Sequence, residues 1–481
     1  MKKRYKKIIT YILCLCLMLT NMTFLTGCGK DEEEDVIVLR VSNWEEYIDE
    51  GDWDEEETIE LENGTVICSE TSMVEDYETW FYETYGKKVV VEYSTFGTNE
   101  ELYNQLSMGD TYDLVCPSEY MIMKMMAEDM LVPFSEEFYD PTIENNYYAK
   151  GVSPYIQSVF DNLSIEGEPI SKYAAGYMWG TLGIVYNPEE VTEEEASHWN
   201  MLLMDKFDKR VTIKDSVRDA YFAGNSIYNE KLLLSEEFLA SEDYYANMEV
   251  VLNATDKDTV DAVEDILSDV KKNVYSFETD SGKADMVSGK VVANQQWSGD
   301  AVYTLDQAEE EGVILCYSAP EEATNLWFDG WCMLKDGIGE DPDKQLAAEA
   351  FVNFMSMPEN AIRNMWYIGY TSVISGGEDN SIFQYAEFLY SAEEDEEETV
   401  EYPTAYFYTG KFENELTPEE IETYTIVTTP DQTKRQLFAQ YPPEDVVKRS
   451  VVMDYFGQEG NDRINQMWLN VRCFDLYEYI D

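Results

Sequence analysis

Between Val36 and Leu131 short β-branched apolar runs take turns with helical patterns, and this alternation limits the fold more than any other feature of the chain. "VIVLRVSNW" reads as a strand ending at Asn43, "SMVEDYETWFYETYG" as a helix closed by Gly86, and "KKVVVEYSTF" as a second strand. "TNEELYNQLSMGD" is a helix with Thr98 as N-cap and Glu101 three residues on, the pattern of a capping box. "YDLVCPSEY" is a third strand stopped by Pro117, and "MIMKMMAEDML" a further helix. Strands and helices in this order predict an α/β fold with a largely parallel sheet, whose ligands bind at the carboxyl ends of the strands. Those ends carry Trp44, Tyr47, Ser118 and Tyr120. The rhythm returns in "AAGYMWGTLGIVYNP", "KRVTIKDSVRDAYFAGN", "GKVVANQQWSGDAVYTLDQA" and "TNLWFDGWCMLKDG", with Trp297, Gly299 and Asp300 at one turn and Trp327 beside Asp329.

The first residues, "MKKRYKKIITYILCLCLMLTNMTFLTGCGK", combine a basic start, an apolar run and small residues before a cysteine. This is the pattern of a secretory signal over residues 1–27. "LTGC" is similar to a bacterial lipobox, which makes Cys28 the expected lipidation site and residues 28–35 an acidic tether. No later run of eighteen apolar residues follows, so the remainder is expected to be soluble, outside the cytoplasm and anchored to the membrane by lipid. Its length suffices for two ordinary cores. Formal net charge is −65, which repels nucleic acid and attracts cations.

Catalytic and metal chemistry find little support. Of eight cysteines, the five at 68, 116, 316, 332 and 473 lie beyond the leader and tether without metal-like spacing; mostly buried thiols and no metal are expected. The single histidine, His198, leaves one residue on which any Ser-His-Asp or Cys-His arrangement would rest, and it reads as a surface side chain. No D-x-D-x-D-G calcium loop is present. Two segments interrupt the rhythm: residues 49–71, with a hairpin signal at Asn63-Gly64, and residues 391–430, acidic and rich in tyrosine.

"NWEEY", "YDLVCPSEY", "YMWGTLGIVYN", "DSVRDAY", "NQQWSGDA", "NLWFDG" and "IGY", in that order, resemble the spermidine/putrescine-binding proteins of bacterial polyamine ABC transporters. The resemblance implies a two-lobed periplasmic-binding-protein fold, each lobe a mixed, mostly parallel sheet flanked by helices, closing on a linear polyamine. Lobe 1 would comprise residues 36–180 and 328–390, and lobe 2 residues 181–327 and 431–481. It implies an aromatic box of Trp44, Tyr47, Tyr120, Trp297, Trp327 and Tyr370, with Ser118 nearby and Asp329 and Asp219 gripping ammonium groups. Asp215 and Ser216 are further candidates where relatives often carry an acid, and a late family glutamine falls at Met453. Glu119 is a weaker candidate, expected to face solvent. The implied partners are the polyamine and ABC permease subunits; the expected state is a monomer without cofactor, nucleic-acid partner or enzymatic activity. The rival readings are an acidic glycoside hydrolase and a receptor for another cationic or ferric solute.

Overall fold

In a computed structural model of the protein the described residues are 36–54, 57–376 and 380–473; the leader, the tether and Cys28 lie outside them. Strand β1 (Ile37–Trp44) buries Leu39 and Val41 completely and pairs in parallel with β2 (Val89–Phe96), in a register running from Ile37↔Val89 to Trp44↔Phe96. On its other side it pairs in parallel with the short β3 (Leu114–Val115). Helix α1 (Met73–Tyr85) starts in a reciprocal capping box between Ser72 and Glu75 and ends at Gly86, whose φ of 68° suits glycine. Helix α2 (Asn99–Met108) is capped by Thr98, but only half of the expected box forms. The Glu101 carboxylate accepts instead from the Gly97 N–H at 3.0 Å. Helix α3 (Glu119–Ala127) then begins directly behind Ser118.

Two long strands organise the rest. All thirteen residues of β4 (Ala174–Tyr186) and all eleven of β8 (Thr324–Leu334) are buried, which is why both read as mostly apolar runs, interrupted by Thr181 in β4 and by Thr324, Asn325 and Asp329 in β8. They pair antiparallel from Leu326↔Thr181 to Cys332↔Ala174, with an irregularity between Asp329 and Gly330. On the far flank β5 (Val211–Lys214), β6 (Ser276–Glu278) and β7 (Ala293–Trp297) continue the sheet, whose main path runs β6-β5-β7-β4-β8-β3-β1-β2. The parallel pairs predicted from the sequence lie at the two flanks; the centre is antiparallel.

The buried side chains fall into two large clusters. One holds Leu39, Val41, Phe81, Trp179, Phe328 and Trp331; the other holds Leu182, Ile184, Trp199, Ile213, Phe222 and Val263. A smaller third cluster surrounds Val185, Leu305 and Tyr317. Strand β4 passes from the first to the second between Trp179 and Leu182, and β8 returns between Ala323 and Leu326.

Both interrupting segments fold onto the first cluster. The hairpin forms, Ile59–Glu60 against Val66–Ile67, with Ile59, Leu61 and Ile67 buried and Gly64 at φ 85°. Asn63 donates its backbone N–H to Gln384 at 2.9 Å. Asp49, which opens this segment, is a buried structural acid: Arg363 Nε donates to it at 2.9 Å and Ser69 Oγ at 2.5 Å. In the second segment the run Ala392 to Glu398 is largely exposed, whereas the tyrosines serve packing. Phe407 stacks on Trp179 at 5.4 Å, Tyr408 stacks on Tyr424 at 4.8 Å, and Tyr402 and Tyr406 donate to the carbonyls of Tyr441 and Pro442. Among the described residues, no helix is long and apolar enough to cross a membrane. Of the five cysteines, Cys116, Cys316 and Cys332 are buried thiols, while Cys68 and Cys473 are exposed.

Candidate ligand-binding site

The irregularity in β8 marks the centre of the site. It places Asp329 opposite Ser118, at the start of α3, in an isolated bridge. The Asp329 carboxylate is 5 % exposed, and accepts from Ser118 Oγ at 2.7 Å and from Tyr47 Oη at 2.8 Å. Asn99 holds that arrangement from behind, accepting from the Ser118 N–H and donating to both Ser118 Oγ and Tyr120 Oη, each at 3.0 Å. Burial pushes the Asp329 carboxyl up to about 6, against the lowering effect of Ser118, Tyr47 and Trp44. Every group that favours its charge is neutral. Trp44 helps without closing a hydrogen bond of normal geometry, since its Nε1 has no partner.

Aromatic side chains wall this carboxylate. Tyr370 meets Tyr47 edge-on at 5.2 Å and Trp327 at 5.5 Å, and Tyr47 meets Tyr177 at 5.4 Å, arrangements that suit the ring quadrupoles. The Nε1 atoms of Trp44 and Trp327 are both buried without a hydrogen-bond acceptor. Two glycines make room for the rings. A Cβ on Gly299 would lie 2.2 Å from the Tyr370 ring, and one on Gly180 would lie 2.1 Å from Ser298 Oγ and 2.6 Å from the Trp327 ring.

Tyr370 links this wall to a second set of charges, donating its hydroxyl to Asp300 Oδ1 at 3.0 Å. Asp300 is already neutralised by Lys214 at 3.1 Å and Lys283 at 3.6 Å. Burial alone would raise its carboxyl, but the two ammonium groups and the tyrosine hydroxyl outweigh burial and lower it. Lys214 Nζ also stands 4.5 Å over the Trp297 ring, and Trp297 Nε1 donates to Asp219 at 3.3 Å. Asp219, on helix α4 (Val217–Leu233), is 4 % exposed; burial raises its carboxyl against Ser216, Trp297 and the charges of Lys214 and Arg218.

The sequence candidates therefore separate. Trp44, Tyr47, Ser118, Trp327, Asp329 and Tyr370 come together, and Trp297 with Asp219 joins them through Lys214 and Asp300. Tyr120 meets an internal cation: the Arg218 guanidinium lies 4.4 Å over its ring and 3.8 Å from that of Phe456. Glu119 does not face solvent as expected. It is 1 % exposed, accepts from the Phe328 N–H at 3.2 Å, and is pushed by burial up to about 8. Asp215 is engaged by Arg472 at 2.5 Å, and Ser216 caps α4, so both have structural partners. Met453 is buried in the second cluster and offers no amide. His198 is not a free surface side chain but is 3.1 Å from the buried Glu322. Sequence reasoning noticed Asp300 only as a turn residue, and it assigned no part to Lys214, Lys283 or Arg218, although Arg218 lies within "DSVRDAY", because cations run against the charge expected there.

The chain matches the model of a family described as bacterial extracellular solute-binding protein over residues 72–387. It is 25% identical over 288 residues to the putrescine-binding periplasmic protein of Escherichia coli, covering 58% of this chain and 69% of that one. It is 24% identical over 334 residues to a putrescine-binding periplasmic protein of Pseudomonas aeruginosa, covering 69% and 77%. The solved spermidine/putrescine ABC transporter substrate-binding protein of Streptococcus pneumoniae superposes with a TM-score of 0.55 at 26% identity, covering 90% of this chain and 98% of that one. A Treponema pallidum lipoprotein superposes at 0.56 with 17% identity, covering 90% and 99%, and shares the fold. The matched span holds β2, both long strands and Asp329, with β1, Trp44 and Tyr47 preceding it, and the chain is a two-lobed member of the bacterial extracellular solute-binding protein family.

Proposed function

We propose that the chain captures a linear polyamine in the Asp329 site and delivers it to an ABC permease. The observation that carries this reading is Asp329 itself: a buried carboxylate whose stabilising contacts are all neutral, walled by Trp44, Tyr47, Trp327 and Tyr370. A carboxylate held this way is short of positive charge, and an ammonium supplies it through hydrogen bonds worth about 1.5–3 kcal/mol each. The rings suit both parts of the ligand. Each face adds about 0.5–2 kcal/mol of cation–π attraction, and each methylene buried contributes ~0.8 kcal/mol. Asp219, beside Trp297, is the second grip; Asp300 is not, because Lys214 and Lys283 already satisfy it.

In this reading the first cluster is the core of lobe 1 and the second that of lobe 2, with β4 and β8 as the crossings about which they close. Cys28 carries the lipid anchor, and the receptor works as a monomer without turnover. The names of the relatives, putrescine-binding and spermidine/putrescine-binding, support the ligand class. Calorimetry of the chain with putrescine, spermidine and spermine tests it. Saturable one-to-one binding of at least one amine, lost in Asp329→Asn, is the expected result; absence of binding to all three defeats it.

A further inference from the structure

Outside the cleft, three side chains far apart in sequence converge: His198, Glu230 and Glu322 each offer one donor atom within 4.8 Å of the others. They come from three elements. His198 precedes the turn Trp199–Leu203, Glu230 lies in the last turns of α4, and Glu322 stands two residues before β8. The Glu322 side chain is fully buried, and its carboxylate faces His198 Nδ1 at 3.1 Å. Two ligands bound to one zinc ion at about 2.1 Å lie about 3.0 to 3.4 Å apart for angles between a right angle and the tetrahedral one. The His198–Glu322 spacing fits a shared ion as well as it fits a hydrogen bond, and Glu230, within 4.8 Å, would close onto the ion by a side-chain movement.

We propose that His198, Glu230 and Glu322 form a binding site for a zinc ion, with water completing the coordination. An imidazole with two carboxylates favours zinc over calcium or magnesium, which prefer all-oxygen shells. The donor set lacks a sequence signature because its members lie 32 and 92 positions apart, which is why the spacing of cysteines and histidine showed nothing. The ion would cross-link α4, which carries Arg218 and Asp219 at its first turn, to the entrance of β8, which carries Trp327 and Asp329. Its role is to brace the frame of the cleft rather than to touch the ligand, and it stands independently of which solute is bound.

His198 is the only histidine of the chain, so its ring proton resonances report this site alone even though the acidic surface collects zinc weakly elsewhere. The test uses the full mature chain, stripped with chelator and titrated with zinc alone, with calcium as the comparison ion. One equivalent of zinc should shift or broaden the His198 ring signals and raise the melting temperature, while calcium does neither. His198→Ala and Glu230→Gln should weaken the tightest zinc site at least tenfold and abolish the thermal shift, with far-ultraviolet circular dichroism unchanged. Glu230→Gln guards against a folding defect at the buried positions, since Glu230 is only half-buried. Ring signals unmoved by stoichiometric zinc, or a thermal shift retained in His198→Ala, would overturn the proposal and leave His198 and Glu322 as a simple hydrogen-bonded pair.

Discussion

The Tyr47 hydroxyl donates to the Asp329 carboxylate at 2.8 Å, across 282 positions of sequence, and it is a neutral partner for a buried charge. Folding thus holds an acid where its charged form is disfavoured, and in the function proposed above the ligand supplies the missing cation.

Replacing Asp329 by Asn should weaken polyamine binding by about 2–5 kcal/mol and yet stabilise the unliganded protein. The sign follows from the raised carboxyl: about 6 in the folded chain, above its ordinary range when unfolded. Such an acid lowers stability fully above about pH 6, and the penalty fades as pH falls from there into the ordinary carboxylate range. Asn keeps one acceptor oxygen for Ser118 and can turn its NH2 toward the Tyr47 hydroxyl oxygen, so urea melts at pH 7.5 should show a gain on the order of 1–3 kcal/mol that disappears near pH 4. A destabilised Asn variant at pH 7.5 would show that the charge is already compensated in the free protein.

Affinity for putrescine should fall as pH drops below about 6, because the ligand then meets a protonated Asp329. The slope should approach tenfold per pH unit, and the raised Asp219 carboxyl acts in the same direction. Glu119, pushed up to about 8, is protonated at pH 7, so Glu119→Gln should bind as the parent does at that pH. Calorimetry between pH 5 and 8 measures both; pH-independent affinity in the parent would remove Asp329 from the ligand's counter-charges.

Gly299→Ala should cost at least tenfold in affinity without removing any polar group. The new methyl would press on the Tyr370 ring at 2.2 Å, forcing the tyrosine away from Asp300, Tyr47 and Trp327. Overpacking of this kind typically also costs about 1–3 kcal/mol of stability. Thermal melts and binding isotherms on the same preparation separate the two effects.

Trp327→Ala and Trp44→Ala should lose more affinity as the methylene run of the amine lengthens, since the rings cover carbon as well as charge. An equal loss factor for diamines of three, four and five carbons would assign both tryptophans a purely structural part.

Association should be slowed at low salt by Glu60→Gln with Glu62→Gln, two exposed acids of the 59–67 hairpin that follows Tyr47. Long-range attraction accelerates capture and is screened as the Debye length shrinks to roughly 8 Å near 0.15 M. Deleting the whole segment would confuse the result, because Asp49 and Ser69 hold the buried Arg363 guanidinium. Stopped-flow rates at two ionic strengths check this: an unchanged on-rate at low salt rejects steering.

Local patterns settled much of the fold from the sequence alone. The strand at Ile37–Trp44, the helix ended by Gly86, the hairpin around Gly64 and the long strand Ala174–Tyr186 all follow from periodicity, caps and turn residues that act within a few positions. The ordered aromatic and acidic motifs singled out Trp44, Trp327 and Asp329, which the fold gathers around Tyr47 and Tyr370. Only the tertiary structure decided which acids are available to a ligand. Asp49, Asp215 and Asp300 are engaged by Arg363, Arg472 and Lys214, Glu119 is buried beside Phe328 within the field of Arg218, and Asp329 faces only neutral donors. The charge state of an acid depends on burial and on partners as far as 314 positions away, and no short window of sequence contains either.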